Sequence, residues 1–299
     1  MSVTVPESKS RGARGYFANP WRRPRILQAT TIGYLLWSLL PVVIAVIFSF
    51  NDGRSRVVFQ GFSLLWWVHD PTDSILHDPA IKTAMLQTYK LSLLTVLVSV
   101  PLGTLFAIGI DRWHGRPARS ANFVMLLSFV VPEIILGVSL YILFTSLFAN
   151  KISLGTNAQL LGLISFQLSY PVIIVRARLL SIGPEYEEAA MDLGATSTQA
   201  IRRVLLPLLA PAIFASVALV FADCVDDFVT VQALSGAADS ETLAQKIYSA
   251  ARASPTPEIN AAATVMLVTT LLVIGIGLLL YKRFSQGQDF GGAADFAQL

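Results

Sequence analysis

The sequence predicts an all-α integral membrane protein with six membrane-spanning helices. Three observations carry that expectation. Apolar residues make up 54% of the chain and charged residues only 14%, against about 25% charged in soluble domains. The charges are clustered, so that six uncharged runs of 17 to 26 residues remain, and a bilayer core needs roughly 20 helical residues. Lys and Arg, finally, fall unevenly on the segments between the runs. A large soluble helical protein would not need six such runs, and in lipid only a helix satisfies its own backbone groups segment by segment.

Taken in order, residues 1–25 form a basic tail, Ser- and Arg-rich over Ser2–Arg14, with Trp21, Arg22, Arg23 and Arg25 placed for a membrane interface. The first span is Ile26–Asn51, too long for the core of a signal peptide and without a small-residue cleavage site behind it. The second is Leu91–Ile110, with Lys90 at its edge, and the third is Ile134–Asn150, extended back across Glu133 to Ala121 as one helix. Ile152–Val175, Val204–Ala222 and Ile259–Tyr281 complete the set, giving a membrane domain over 26–283 and a tail over 284–299. No internal repeat is visible.

Orientation follows from the basic residues. Fifteen fall in the N-terminal tail, the loop Asp111–Ser120, the loop after the fourth span and the C-terminus, against six in the three alternate loops. Positive loops stay inside, so both termini and the long loop 181–207 are expected in the cytoplasm. The slightly basic net charge of +3 is met by this asymmetry and calls for no nucleic acid.

Cys224 is the one cysteine, which excludes an internal disulfide, and His69, His77 and His114 are scattered through loops. No Gly-Lys pair occurs, so the phosphate loop with its lysine is missing. Neither H-E-x-x-H nor G-x-S-x-G is found. The chain is therefore read as a non-enzyme with no metal or cofactor of its own; if ATP drives it, another chain binds the ATP and Mg. An ion-coupled secondary transporter would show paired repeats and broken helices, and the sequence shows neither.

Two stretches carry function. In the long loop, Ser181 or Gly183 can cap a helix, Pro184 suits its first turn, and Glu185, Glu187 and Glu188 favour its positive end. Gly194 supplies a left-handed stop, Thr196 or Ser197 caps a second short helix, and Pro207 shapes the turn into the fifth span. Ala189, Ala190 and Leu193 form a small apolar face rimmed by carboxylates, suited to a groove on a partner protein or to the membrane surface. The second stretch is acidic. Glu133 opens the third span, and Asp223, Asp226 and Asp227 end the fifth, with Asp223 and Asp227 one turn apart. Carboxylates in a membrane are costly unless they face protein or water. They can line a path for a cation. Alternatively Asp226 and Asp227 sit at the outer surface, and Glu133 at the cytoplasmic edge near Arg119.

The loop resembles the signature of ABC-importer permeases: E-A-A, three residues, G, nine residues, I-x-L-P. Glu188, Ala189, Ala190, Gly194, Leu206 and Pro207 match it, with Val204 in place of the isoleucine. The resemblance implies the type I importer permease fold and makes this the loop that docks on an ATP-hydrolysing subunit. The segments "VPEIILGVSLYILF", "DDFVTVQALSG" and "ETLAQKIYSAARASPTPEINAAAT" resemble the spermidine/putrescine branch of that family over most of residues 85–280. The resemblance implies a multi-pass protein of a prokaryotic inner membrane, and the acids Glu133, Asp223, Asp226 and Asp227 remain the candidates for its substrate path. The resemblance also implies a related but non-identical second permease, two ATP-binding subunits and a soluble substrate-binding protein. The binding protein would meet the outer loop Ser240–Asn260, where Leu243, Ile247 and Tyr248 fall at helical spacing. Cys224, Val225 and Glu133 depart from the branch's usual residues, which leaves iron, opines or other amines open as solutes.

Overall fold

The computed structural model describes residues 25–55, 58–112, 115–149, 151–236, 238–253 and 257–285. Expectations for both tails and His114, and residues 254–256 of the predicted outer loop, lie outside the described residues. The chain forms two units, Met1–Ile47 and Phe48–Leu299. The first holds nearly all of helix α1 (Arg25–Phe48). Its side chains from Ile26 to Ile47 are exposed or half-buried on every face, the pattern of a helix made for lipid or for another chain. The hydroxyls of Thr30 and Thr31 donate to the carbonyls of Ile26 and Leu27 at 2.9 and 2.8 Å, so these polar atoms are satisfied within the helix.

The second unit opens with a loop built around Asn51, which is fully buried. Its amide donates to the carbonyls of Gly53 and Ser55 and accepts from the Gln60 N–H, while its own carbonyl receives the Trp66 indole at 2.7 Å. Phe50 stacks between Phe62 and Trp67. The loop is thus a folded cap on the second helix.

Helix α2 (Pro79–Arg112) has 34 residues, about 51 Å at 1.5 Å per residue, well beyond the ~30 Å hydrocarbon core. It begins twelve residues before the predicted span. The uncharged run stops at Lys90, but Lys82 and Lys90 both lie on the exposed side, so the charge interrupts the run without interrupting the helix. The buried side carries Gln87, Thr88, Ser92, Thr95, Ser99 and Thr104.

The third span is not one straight helix. Helix α3 (Arg116–Val130) and helix α4 (Glu133–Ile142), which continues as a π turn to Leu147, meet at 104°. Val131 precedes Pro132 and is extended, at φ −63° and ψ 128°, because the proline ring disfavours helical geometry in the residue before it. The broken helix absent from the sequence reading is therefore present, at Pro132. Helices α5 (Thr156–Gln167) and α6 (Ser169–Ile182) run on as one span. The loop follows as α7 (Glu185–Asp192), α8 (Ser197–Ala200) and a π turn over Ile201–Leu205 that feeds α9 (Leu206–Asp226). Then come α10 (Val229–Ala233), α11 (Leu243–Ala253) and α12 (Pro257–Ser285). Five described helical spans are long and apolar enough to cross a bilayer, and the bent α3–α4 pair makes the sixth if it counts as one.

The core lies where α9 packs on α2, α6 and α12. At its lower end Ala107, Ile108, Val172, Val175, Leu205 and Leu209 pack together; higher up Leu91, Val100, Leu163, Val220 and Cys224 do so.

Candidate functional site

Helix α9 stops at Asp226, and Asp227 turns out of it with φ −61° and ψ 116°. Asp227 is buried, and its Oδ1 accepts from the backbone N–H groups of Thr230 and Val231 at 3.0 and 3.4 Å. It thereby tethers the start of the short helix α10. Thr230, also buried, donates its hydroxyl to Glu133 Oε1 at 3.1 Å. One residue thus joins the two carboxyls. Glu133 reaches this position because α4 starts at the bend. It lies against the Asp227 turn rather than beside Arg119, which is a full helix α3 away. Close packing fixes the arrangement. A Cβ added at Gly162 of α5 would stand 2.9 Å from Thr230 Cγ2 and 2.4 Å from Leu234 Cδ1, and one at Gly137 of α4 would stand 3.2 Å from Ala233 Cβ.

Asp223, one turn earlier on α9, accepts from Gln167 Nε2 at 2.6 Å. The same amide's Oε1 is buried without a hydrogen-bond partner among the described residues. Asp226 differs from the other three: it is exposed and forms no hydrogen bond among the described residues. Four predicted acids therefore resolve into a joined pair, Glu133 and Asp227, a neighbour one turn back, Asp223, and an outlying Asp226. Among the described residues none of the four forms an ion pair with Lys or Arg.

Behind the pair lies an amide network that the sequence reading missed. Gln159, fully buried, donates to the carbonyls of Val231 and Ser240 at 3.1 and 2.9 Å and accepts from Gln87 at 3.1 Å. Thr88 Oγ1 accepts from the Leu243 N–H at 2.9 Å, and Gln245 donates to Gln232 at 3.0 Å. Uncharged amides within apolar runs were the available signal. The predicted outer helix is α11; its inner face holds Leu243 and Gln245 buried, while Tyr248 and Ser249 are exposed. Phe228, next to Asp227, stacks on Tyr248 at 4.4 Å, and the Arg252 guanidinium lies 4.5 Å over the same Tyr248 ring.

At the other end of the bundle the long loop takes nearly the form expected. Gly194 has φ +86°, with the Ala195 N–H bonded to the Ala190 carbonyl at 3.0 Å. Thr196 and Gln199 form a reciprocal capping box. Helix α7 itself has no side-chain cap. Its first free N–H groups, of Glu187 and Glu188, go to the Pro184 carbonyl, and Gly183 at φ +75° makes the corner. Glu185, Tyr186, Glu188, Ala189, Met191 and Leu193 are exposed, Leu193 to 91%, whereas Ala190 is half-buried. Glu187 turns inward and pairs with Arg112 at the end of α2. Leu206 and Pro207 open α9 behind the π turn.

An outward apolar tip on a basic-side loop, and paired carboxylates at the far end of the helix it feeds, agree with one family. The model of the binding-protein-dependent transport system inner membrane components matches residues 99–289, which contain both sites. The chain belongs to this family. It is 31% identical over 244 residues to the spermidine/putrescine transport system permease protein PotC of Haemophilus influenzae, covering 82% of this chain and 91% of that protein. It is likewise 31% identical over 271 residues to the putrescine transport system permease protein PotI of Escherichia coli, covering 89% and 92%. A bacterial ABC transporter involved in alginate import superposes with a TM-score of 0.68 at 18% identity, over 86% of this chain and 95% of that one. A chain of the MetNI methionine transporter superposes at 0.55 and 18%, over 69% and 94%. These likenesses assign the fold, that of the type I ABC importer permeases.

Proposed function

We propose that this permease carries polyamines, with Glu133, Asp223 and Asp227 lining its half of the path. The observation that carries the reading is the joined Glu133–Asp227 pair with Asp223 one turn away and, among the described residues, no basic side chain paired to them. Asp227 is buried and Glu133 and Asp223 are half-buried, and carboxylates so placed without a countercharge favour a ligand that brings its own. An amine with two or more ammonium groups loses water on entering, and the carboxylates offset that loss. The similar permeases named for spermidine and putrescine support the same solute class. Asp226 lies at the exposed edge of this path.

The partners are those the family implies. A related, non-identical permease would close the path, a soluble binding protein would deliver the amine, and two ATP-binding subunits holding ATP and Mg would drive it. The segment Glu185–Pro207 would dock on one of those subunits through Glu185, Glu188, Ala189, Ala190, Gly194 and the exposed tip, with Leu206 and Pro207 passing its motion to α9. The assembly lies in the inner membrane, with loop 181–207 and both termini cytoplasmic.

The test is uptake by the complete complex in proteoliposomes supplied with ATP and the binding protein. Putrescine or spermidine should accumulate and compete with each other, while methionine and a neutral diol of matching length should not. Accumulation of a neutral or anionic solute with no effect of either amine would overturn the assignment.

A further inference from the structure

We infer that Arg112 and Glu187 clamp the docking loop to α2, and that α2 is a second rod carrying loop movement to the carboxylate site. The inference rests on the loop role proposed above. The loop already continues covalently into α9 through the π turn at Ile201–Leu205. The clamp adds a separate connection. Glu187 is buried while Glu185, Tyr186 and Glu188 beside it are exposed. Arg112, in the last turn of α2, donates to Glu187 from one terminal nitrogen and to Asp111 at 2.9 Å from the other. A fork held at both prongs has a fixed direction, so displacement of α7 along the membrane normal must pull the end of α2.

At its other end α2 is tied to the site by different bonds. Thr88 accepts from the backbone of Leu243, and Gln87 holds Gln159, whose amide donates to the Val231 carbonyl in α10. Val231 is one of the two residues whose N–H groups Asp227 accepts. From Thr88 to Arg112 the helix is unbroken, about 36 Å at 1.5 Å per residue; Pro101 removes one hydrogen bond within it without ending it. Between the tied ends, the buried hydroxyls of Ser99 and Thr104 have no hydrogen-bond partner among the described residues. The middle of α2 therefore packs against its neighbours with few directional bonds, as a helix that shears must.

The experiment uses the complete complex in proteoliposomes with a single reporter, Ser249→Cys on the exposed side of α11, in a Cys224→Ser background. The rate of labelling by an impermeant maleimide is compared without nucleotide and with ATP plus vanadate. The wild-type pair should show a nucleotide-dependent change. Arg112→Gln or Glu187→Gln should abolish it and lower stimulated ATP hydrolysis at least tenfold, with basal hydrolysis and co-purification of the ATP-binding subunits unchanged. Arg112→Lys, which keeps the charge, should retain most of the change. Thr88→Val should act like Arg112→Gln, and the double variant should be no worse than either single one, because links in series do not add. The idea is overturned if the single Gln variants keep the nucleotide-dependent change, if they lose the ATP-binding subunits, or if the double variant is additive. Nucleotide alone drives this readout, so an error in the amine assignment would leave it unaffected.

Discussion

Asp227 has a structural task and a proposed transport task, and one substitution separates them. The structural task needs only an acceptor oxygen toward Thr230 and Val231, which Asp227→Asn keeps; the transport task needs charge, which it removes. We expect Asp227→Asn to express and melt like wild type while amine uptake falls tenfold or more. Asp227→Ala should lose about 1 kcal/mol in addition, visible as a lower Tm. Should Asp227→Asn, Asp223→Asn and Glu133→Gln all import amines at the wild-type rate, the carboxylates are features of the fold. Gly194 is the matching test in the loop. Open space surrounds it, with nothing within 4 Å of an added Cβ, so the cost of a side chain there is backbone strain at φ +86°. Gly194→Val should lose roughly 1–2 kcal/mol locally and impair stimulated hydrolysis, whereas Gly194→Asn, which tolerates left-handed geometry, should do so far less. A Val variant with wild-type stimulated hydrolysis would remove the hinge role. Gly194 and the Thr196 cap were legible because their chemistry is local. Glu187 was not, since its turn inward depends on Arg112, 75 residues earlier in the chain.

Among the elements, the first and last spans were read from the sequence to within four residues, the fourth runs seven residues past its predicted end, and those set by a break or a distant contact were not read. Helix α9 ends within four residues of its predicted limit, but α2 was cut short by a lysine that simply faces outward. The bend between α3 and α4 was hidden because both arms are apolar and Pro132 was taken as part of one span. The bend is what delivers Glu133 to Thr230. Pro132→Ala frees Val131 to become helical, so we expect the arms to straighten, Glu133 to leave Thr230, and uptake to fall although every carboxylate remains. Unchanged uptake would show that the bend is held by packing alone. Packing can be probed at Gly162→Val, where the added side chain must displace Leu234 and Thr230; a loss of about 1–3 kcal/mol should appear as a lower Tm in detergent.

For the whole molecule, the open matter is parity: with the bent pair as a full crossing there are six spans, without it five, and the two counts put the termini on the same or opposite sides. The clamp between Arg112 and Glu187 decides between them. Arg112 ends α2 and Glu187 lies in α7, so the chain between them must return to the side it left. That stretch holds one unbroken span, Thr156–Ile182, and the bent pair. One crossing alone would leave Glu187 on the far side, about 30 Å of hydrocarbon away from Arg112. The bent pair therefore crosses. The asymmetry of fifteen against six basic residues was counted on the same six-span division, so it is consistent with this crossing even though the third span was drawn as one straight helix. If α1 also crosses, we expect both termini on the side of the loop, the inner side by the basic excess. A reporter active only in the cytoplasm should work when fused to either terminus, and Ser249→Cys in the Cys224→Ser background should label from outside. Reporters on opposite sides, or Ser249→Cys reached only from the cytoplasm, would break the parity argument and move the carboxylate pair to the wrong face for an importer.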